Sequence, residues 1–246
     1  MTRSVPTRRR FNTGALAAAA SGLAAAQARA DTNVDLQLVL AVDASGSVSQ
    51  YRFELQKRGY IAAFRDPKVL NAVRTGLSRS IAVTMFQWTG PRLQREVIPW
   101  MIVQDEASAK AVADRIESAP RLLFGGGTSI SGAIDVAMQL FPRGDYRGAR
   151  RVIDISGDGA NTSGRPVTRA RDEAVAAGVT INGLPILAVE PDLDEHYRDF
   201  VIGGEGAFMI AVDKFENFAD AVLRKLIAEI ASNDYEGGER ARLRKL

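Results

Sequence analysis

The sequence predicts an α/β protein built on a mostly parallel central sheet, with helices on both faces and one short antiparallel strand at an edge. Short apolar runs alternate with segments whose apolar residues recur at helical spacing, which is the pattern of a parallel-rich sheet. One pair of runs is close enough along the chain to form a hairpin. The first run ends directly in a polar turn, and open α/β sheets bind ligands at this end of their strands.

The predicted elements begin with a strand over residues 36–42 and a helix over residues 50–64, for which Ser49 is a suitable N-cap. The other elements, in chain order, are strands at 81–88 and 96–100, helices at 106–118 and 129–141, a strand at 151–156, a helix at 166–177, a strand at 179–189 that Gly183 and Pro185 interrupt, a helix at 194–201, a strand at 207–212 and a helix at 215–230.

The composition fits one soluble domain, with 246 residues of which 46% are hydrophobic and 25% charged. The chain has no cysteine, which excludes disulfides, a thiolate nucleophile and a zinc–sulfur site. Its one histidine, His196, excludes a His-rich metal centre and argues against a Ser-His-Asp triad; we interpret it as a structural residue near a helix start. We therefore expect a binding protein without a catalytic site.

Residues 1–30 are predicted to be a twin-arginine-type export signal. Arg8, Arg9, Arg10 and Phe11 match the arginine motif, an Ala/Gly/Leu run follows, and residues 28–30 offer an A-x-A cleavage site. The alternatives are an ordinary secretory signal or an uncleaved N-terminal anchor. The signal predicts a periplasmic or secreted protein, with a domain at residues 31–231 that has no membrane span. The Gly-Gly pair and the basic residues that follow it predict a basic C-terminal tail at residues 232–246, either a frayed helix or a mobile end.

The charge of the chain depends on this N-terminal segment. Residues 1–30 hold five arginines and no acidic residue, so without them 27 basic and 29 acidic residues remain and the net charge changes from +3 to −2. The domain therefore gives no electrostatic reason to expect nucleic acid as a partner.

Three polar segments carry the chemistry of the sequence. The first strand ends in Asp43-Ala44-Ser45-Gly46-Ser47, a glycine-rich loop at residues 124–127 opens a helix at Thr128, and the strand at 151–156 leads into an acidic turn at Asp158. Carboxylate and hydroxyl oxygens on short loops suit a hard cation, Mg²⁺ or Mn²⁺.

In this order, the three segments resemble the von Willebrand factor A (VWA) domain, a Rossmann-like fold, and its metal-ion-dependent adhesion site (MIDAS). The resemblance covers about residues 35–230. Within this fold, the chain is similar in particular to an uncharacterised group of exported bacterial proteins. The resemblance implies that Ser45, Ser47 and Thr128 supply hydroxyl ligands and that Asp43 and Asp158 hold the ion directly or through water. It also implies a protein or peptide partner that presents Asp or Glu to the ion.

The acidic turn departs from the usual pattern of the family. The family has Thr-Asp-Gly after an apolar strand, whereas this chain has Ser156-Gly157-Asp158-Gly159, with Asp154 inside the strand. We favour Asp158 as the metal group because Asp154 lies too far back. Asp154 is then either a hydrogen-bond acceptor behind the ligands or the salt-bridge partner of a nearby arginine.

Several alternatives stay open at this point. Asp43 as a phosphoryl-accepting nucleophile would make the protein a metal-dependent hydrolase or phosphatase, and a purely structural metal would make it a scaffold. A nucleotide site is disfavoured, because the glycine run at 125–127 lacks a following Gly-Lys-Ser/Thr. Trp88 is either a core aromatic or an exposed anchor for a partner. Glu190 and Asp192 are expected near the same sheet edge, where a second cation site is an alternative.

Overall fold

The structure is a computed structural model that describes residues 1–2 and 31–231. Apart from its first two residues, the predicted export signal lies outside the described residues, as does the predicted tail at 232–246. The five strands are β1 (Thr32–Asp43), β2 (Ile81–Trp88), β3 (Gln94–Val103), β4 (Tyr146–Gly157) and β5 (Thr180–Pro185). They form one sheet in the order β3-β2-β1-β4-β5, in which only the β2–β3 pair is antiparallel.

Seven helices connect and cover these strands in the described part of the chain. They are α1 (Gln50–Arg65), α2 (Pro67–Thr75), α3 (Glu106–Ser118), α4 (Ile130–Leu140), α5 (Val167–Ala176), α6 (Leu193–His196) and α7 (Phe218–Ala231). A π-helical turn, Tyr197–Val201, continues α6, and 3₁₀ turns at Phe141–Arg143 and Phe215–Asn217 follow α4 and precede α7.

The strands separate two apolar cores because successive side chains point to opposite faces of a sheet. Leu38 and Leu40 of β1 lie in the core that α1, α2, α3 and α7 cover. Val39 and Ala41 lie in the core that α4, α5 and α6 cover. The predicted fold class, with helices on both faces of a mostly parallel sheet, is confirmed.

Most predicted elements are present, some with shifted ends: β4 begins at Tyr146, β5 ends at Pro185, and the helix predicted at 194–201 is α-helical only over α6. The larger differences are these. α2 was not predicted; it begins at Pro67 directly after α1, with Asp66 as its N-cap. The antiparallel edge strand is ten residues long rather than short. The prediction of a continuous strand at 207–212 is wrong. That segment pairs only through isolated bridges, Gly183 with Met209 and Ile186 with Val212. The positive φ angles of Gly204 and Gly206 mark the turn before it.

The parallel strands bring the candidate segments to one edge of the sheet. Asp43, the last residue of β1, is in register with Trp88, the last residue of β2, and Val42 is in register with Ser156 of β4. The loops that follow these strands therefore leave the sheet side by side, where ligands bind in open α/β sheets.

Candidate functional site

The first loop turns sharply after β1 and carries three of the predicted ligands. The backbone N–H of Ser45 donates to Asp43 Oδ1 at 2.7 Å, and the Ser45 and Ser47 hydroxyl oxygens lie 3.2 Å apart. Asp43 and Ser45 are buried, whereas Ser47 is exposed. The loop thus directs oxygens from the sheet edge towards the surface, in the spacing that the Asp-x-Ser-x-Ser sequence predicts.

The second loop brings Asp158 onto the first. The Ser47 hydroxyl donates to Asp158 Oδ1 at 2.5 Å across 111 positions of sequence, and the Asp158 N–H donates to Asp43 Oδ2 at 3.4 Å. A Cβ added at Gly157 would lie 3.0 Å from Asp43 Oδ2 and 3.1 Å from the Tyr197 hydroxyl. The glycine that makes this turn unusual is therefore what lets the strand end approach Asp43.

The third loop places Thr128 beside the acidic turn. Its carbonyl accepts from the N–H groups of Thr162 (2.9 Å) and Ser163 (3.1 Å), in the segment after Asp158. A Cβ built at Gly159 would lie 3.5 Å from Thr128 Oγ1, so this hydroxyl faces the residue that follows Asp158. Gly126 has φ +102°, a conformation that a side chain disfavours, and makes the turn that leads to Thr128.

The two carboxylates are held in an environment that disfavours their charge. Burial, followed by the nearby charge of Asp158, raises the pKa of Asp43 from 3.8 to about 7. Burial also raises the pKa of Asp158, and the hydrogen bond from Ser47 and the Arg52 guanidinium oppose this increase. The Arg52 Nη1 atom lies 3.7 Å from Asp158 Oδ2. A cation shared by both carboxylates would supply the charge compensation that the protein groups give only in part.

The donor set fits a hard divalent cation. Asp158 Oδ2, Thr89 Oγ1 and the Tyr197 hydroxyl are buried and have no hydrogen-bond partner among the described residues. Buried polar atoms are usually satisfied by protein, water or an ion. No group of three or more His, Cys, Asp or Glu residues forms a metal cluster within the described chain. A cation held here would therefore rely on two carboxylates and neutral hydroxyls, which suits Mg²⁺ or Mn²⁺.

Glu190, which was predicted near this edge, and His196 hold the acidic turn in place. Glu190 Oε2 accepts from the Ala160 N–H at 3.0 Å, and His196 Nε2 accepts from the Asn161 N–H at 3.3 Å. The structural interpretation of His196 is therefore confirmed, and burial lowers its pKa, which favours the neutral acceptor.

Trp88 is fully buried in the core under α4, so of its two interpretations the core aromatic is right.

Asp154 lies away from the loops that gather Asp43 and Asp158. Its Oδ1 atom is 2.5 Å from Lys225 Nζ of α7, and both side chains are fully buried. Lys225 also forms an ion pair with Glu229, whose Oε1 accepts from Asn182 Nδ2 at 3.0 Å. The salt-bridge interpretation of Asp154 is right, but the partner is a lysine rather than an arginine.

The sequence did not single out Arg121, which supports the first loop from outside. Its Nη2 atom donates to the carbonyls of Ala44 (3.1 Å), Ser45 (3.4 Å) and Val48 (2.7 Å). The guanidinium also lies over the rings of Phe53 and Phe124, at 5.1 and 5.0 Å from their centroids. Nothing near Arg121 in the sequence signals these contacts, because all but Phe124 lie more than sixty positions away.

A family model described as "Protein of unknown function (DUF1194)" matches residues 33–234. No curated protein matches the chain. Solved structures of similar fold include a von Willebrand factor type A protein from Catenulispora acidiphila, at 18% identity and TM-score 0.56 over 80% of this chain and 43% of that one. Another is the vWF domain of the type V pili tip protein Mfa5 from Porphyromonas gingivalis. It is 12% identical, with TM-score 0.56 over 83% of this chain and 98% of the Mfa5 domain.

A third similar structure is proximal thread matrix protein 1 from the mussel byssus, described with a zinc-occupied MIDAS motif. It is 14% identical, with TM-score 0.55 over 82% of this chain and 47% of the mussel protein. This chain thus spans less than half of the mussel and Catenulispora structures. At these identities the likeness establishes the fold.

In residues 1–2 and 31–231, no helix combines the length and apolar character that crossing a bilayer requires.

Proposed function

We propose that this chain, which belongs to the DUF1194 family and has the VWA fold, is an exported metal-dependent protein-binding module. In this proposal Asp43, Ser45, Ser47, Thr128 and Asp158 hold one Mg²⁺ or Mn²⁺ ion, and the ion completes its coordination with a carboxylate of a partner protein. The protein acts in adhesion or assembly in the periplasm or outside the cell.

The observation that carries the proposal is the convergence of the loops. The Ser47 hydroxyl contacts Asp158 directly although 111 positions separate them, and Thr128 faces the next residue, Gly159. Burial and the neighbouring charge of Asp158 disfavour the ionised form of Asp43, and the Arg52 guanidinium, 3.7 Å from Asp158, offsets this charge only in part. A bound divalent cation supplies the remaining counter-charge.

The kind of ligand follows from the charge of the donor set. Three of the five proposed ligands are neutral hydroxyls, so an ion held by them keeps part of its positive charge. Mg²⁺ requires near-octahedral coordination and usually retains water at several positions. A partner carboxylate that replaces one such water adds both a ligand and a negative charge. The zinc-occupied MIDAS described for the mussel protein supports a divalent ion at this position of the fold.

The proposed export rests on the N-terminal sequence. The twin-arginine-type motif and the A-x-A site predict transfer of the folded domain across the inner membrane. A chain without cysteine needs no disulfide formation after export. The pilus tip protein with a similar fold supports an extracytoplasmic binding role.

Metal binding is tested by thermal unfolding of the parent and of Ser45→Ala/Ser47→Ala, with Mg²⁺ or with EDTA. We expect Mg²⁺ to raise the Tm of the parent, because a ligand that binds only the folded state stabilises it. The double variant should show no shift. Ser118→Ala, an exposed serine of α3, is the matched control and should respond like the parent. Equal shifts in the parent and the double variant would contradict the proposal.

The partner role is tested by capture from periplasmic extract, with Mg²⁺ or with EDTA. An adhesion module should retain a partner only in Mg²⁺, and Asp43→Asn should lose it. If EDTA lowers the Tm while capture of the partner is unaffected, the metal is structural and the scaffold interpretation replaces the adhesion one.

A further inference from the structure

Large apolar side chains are exposed beside the candidate metal site. Phe124 is 68% exposed, Leu122 45% and Leu93 39%. We call these three residues the apolar rim. Leu93 lies against the glycine-rich loop that follows Phe124, since a Cβ added at Gly126 would lie 3.0 Å from Leu93 Cδ1. The rim therefore combines residues of two loops that approach each other at Gly126.

The backbone under the rim is fixed by buried hydrogen bonds. Gln87 is 2% exposed; its Nε2 donates to the Pro120 carbonyl at 2.8 Å and its Oε1 accepts from the Leu122 N–H at 2.7 Å. Arg121 Nε donates to the Leu123 carbonyl at 2.7 Å. The loop is thus held at three points while its apolar side chains face solvent, so they are presented in an ordered arrangement.

Arg121 connects the rim to the proposed ligands. One face of the Phe124 ring lies over its guanidinium, and the same guanidinium donates to the Ser45 carbonyl. Phe124 is therefore one side chain removed from a proposed metal ligand. Consecutive residues of an extended peptide advance by about 3.3–3.6 Å. A peptide whose acid reaches the ion would place its neighbouring residues at the rim.

Charge determines on which side of the site a peptide would lie. The rim side carries Arg121 and the exposed Arg92, next to Leu93. The opposite side carries Glu190 and Asp192, which precede α6, and Glu195 within that helix. An acidic segment is attracted to the first side and repelled by the second.

We infer that the site recognises an extended segment of a partner protein in which the acidic residue is flanked by aliphatic or aromatic side chains, which pack on Leu93, Leu122 and Phe124. This inference rests on the proposed function, because the ion must first hold the acid. It adds the sequence context that distinguishes one acidic segment from another.

The test uses three immobilised peptides with blocked termini and the full-length chain. The sequences are Gly-Ser-Leu-Asp-Leu-Ser-Gly, Gly-Ser-Ser-Asp-Ser-Ser-Gly and Gly-Ser-Leu-Asn-Leu-Ser-Gly, each measured in Mg²⁺ and in EDTA. The Leu-Asp-Leu peptide should bind about tenfold more tightly than the Ser-Asp-Ser peptide, because its leucines are removed from water on the rim. Both should need Mg²⁺, and the Leu-Asn-Leu peptide should not bind.

Variants of the rim separate this inference from the proposed function. Leu122→Ser and Phe124→Ser should each weaken the Leu-Asp-Leu peptide towards the level of the Ser-Asp-Ser peptide and leave the latter unchanged. Leu77→Ser is the matched control, because Leu77 is 98% exposed and precedes β2 at the opposite edge of the sheet. Leu122→Ser serves as the second variant because the ring that lies over Arg121 belongs to Phe124, so this change leaves that contact in place.

The possible results distinguish failure of this inference from failure of the proposed function. Equal affinity for the Leu-Asp-Leu and Ser-Asp-Ser peptides, with Mg²⁺ dependence retained, would overturn the inference and leave the proposed function standing. An equal loss of both peptides in both rim variants would also overturn it. If no peptide binds in Mg²⁺, or if binding persists in EDTA, the inference fails together with the proposed function.

Discussion

Replacing Lys225 with methionine tests the buried charges that hold α7 on the sheet. Lys225 and Asp154 are fully buried, with Nζ and Oδ1 2.5 Å apart, and Lys225 also pairs with Glu229 one helical turn away. Methionine preserves most of the volume of the side chain but removes the only cation of the triad formed by Asp154, Lys225 and Glu229. Asp154 then loses its buried lysine partner, and Glu229 loses one of its charged neighbours.

The expected loss in the free energy of unfolding is about 3–5 kcal/mol, the range measured when one member of a buried ion pair is removed. Urea unfolding at pH 8, followed by circular dichroism, measures it. Lys110→Met is the matched control: Lys110 pairs with Asp114 at the same i,i+4 spacing, but both side chains are exposed. Its loss should be far smaller, because exposed ion pairs contribute little to stability.

The loss in Lys225→Met should be smaller at pH 5 than at pH 8, because protonation relieves the two carboxylates. A loss of the same small size in Lys225→Met and Lys110→Met would contradict a stabilising role for the buried triad. It would mean that the triad is hydrated in solution or that α7 does not need it for docking.

Two further predictions concern single positions. In Glu229, burial and the charge of Asp154 raise the pKa from 4.5 to about 7, so the folded state binds more protons than the unfolded chain between these values. The parent should therefore lose up to about 3 kcal/mol of stability as the pH rises from 4.5 to 7. Glu229→Gln should reduce this slope in urea titrations, and an unchanged slope would contradict the assignment. Gly157→Ala should cost about 1–3 kcal/mol and weaken the Mg²⁺-induced rise in Tm, because the added methyl meets Asp43 and Tyr197. Gly46→Ala is its control, since a Cβ there has nothing within 4 Å, and equal effects of the two variants would refute the crowding argument.

Regular periodicity accounts for the elements that the sequence predicted well. The helix predicted at 106–118 matches α3 (Glu106–Ser118), where Asp105 and Ser108 form a capping box. The strand predicted at 81–88 matches β2. Both elements have clear ends and a consistent apolar pattern, so local sequence determines them.

Elements that depend on neighbours could not be predicted from local pattern. α2 has nine residues and follows α1 after a single cap residue. The sequence pattern therefore predicts the first helix but treats the second as a loop. The segment at 207–212 has the apolar character of a strand. Its backbone nevertheless meets β5 only at separate points, as at Ile210 N–H to the Gly183 carbonyl, 3.1 Å. Strand formation requires a continuous partner, which composition does not reveal.

The candidate site likewise contains features that local sequence determines and features that depend on distant residues. Asp43, Ser45 and Ser47 are local to one turn, and the edge at which Thr128 and Asp158 join them follows from the parallel order of the strands. The contacts of Arg121 with the first loop and of Lys225 with Asp154 bridge distant positions in the chain. The local sequence pattern does not encode such pairs, because only the folded chain brings their members together.

The most direct measurement of the central claim is the binding of Mn²⁺, a paramagnetic substitute for Mg²⁺, followed by electron paramagnetic resonance. The parent should bind one Mn²⁺ per chain, in competition with Mg²⁺. Ser45→Ala, Thr128→Ala and Asp158→Asn, one variant from each loop, should each weaken binding about tenfold or more, a loss of roughly 1.4 kcal/mol. Thr75→Ala, on α2 and remote from the loops, should bind like the parent. Unchanged Mn²⁺ affinity in Thr128→Ala or Asp158→Asn would contradict the claim that three loops share one ion.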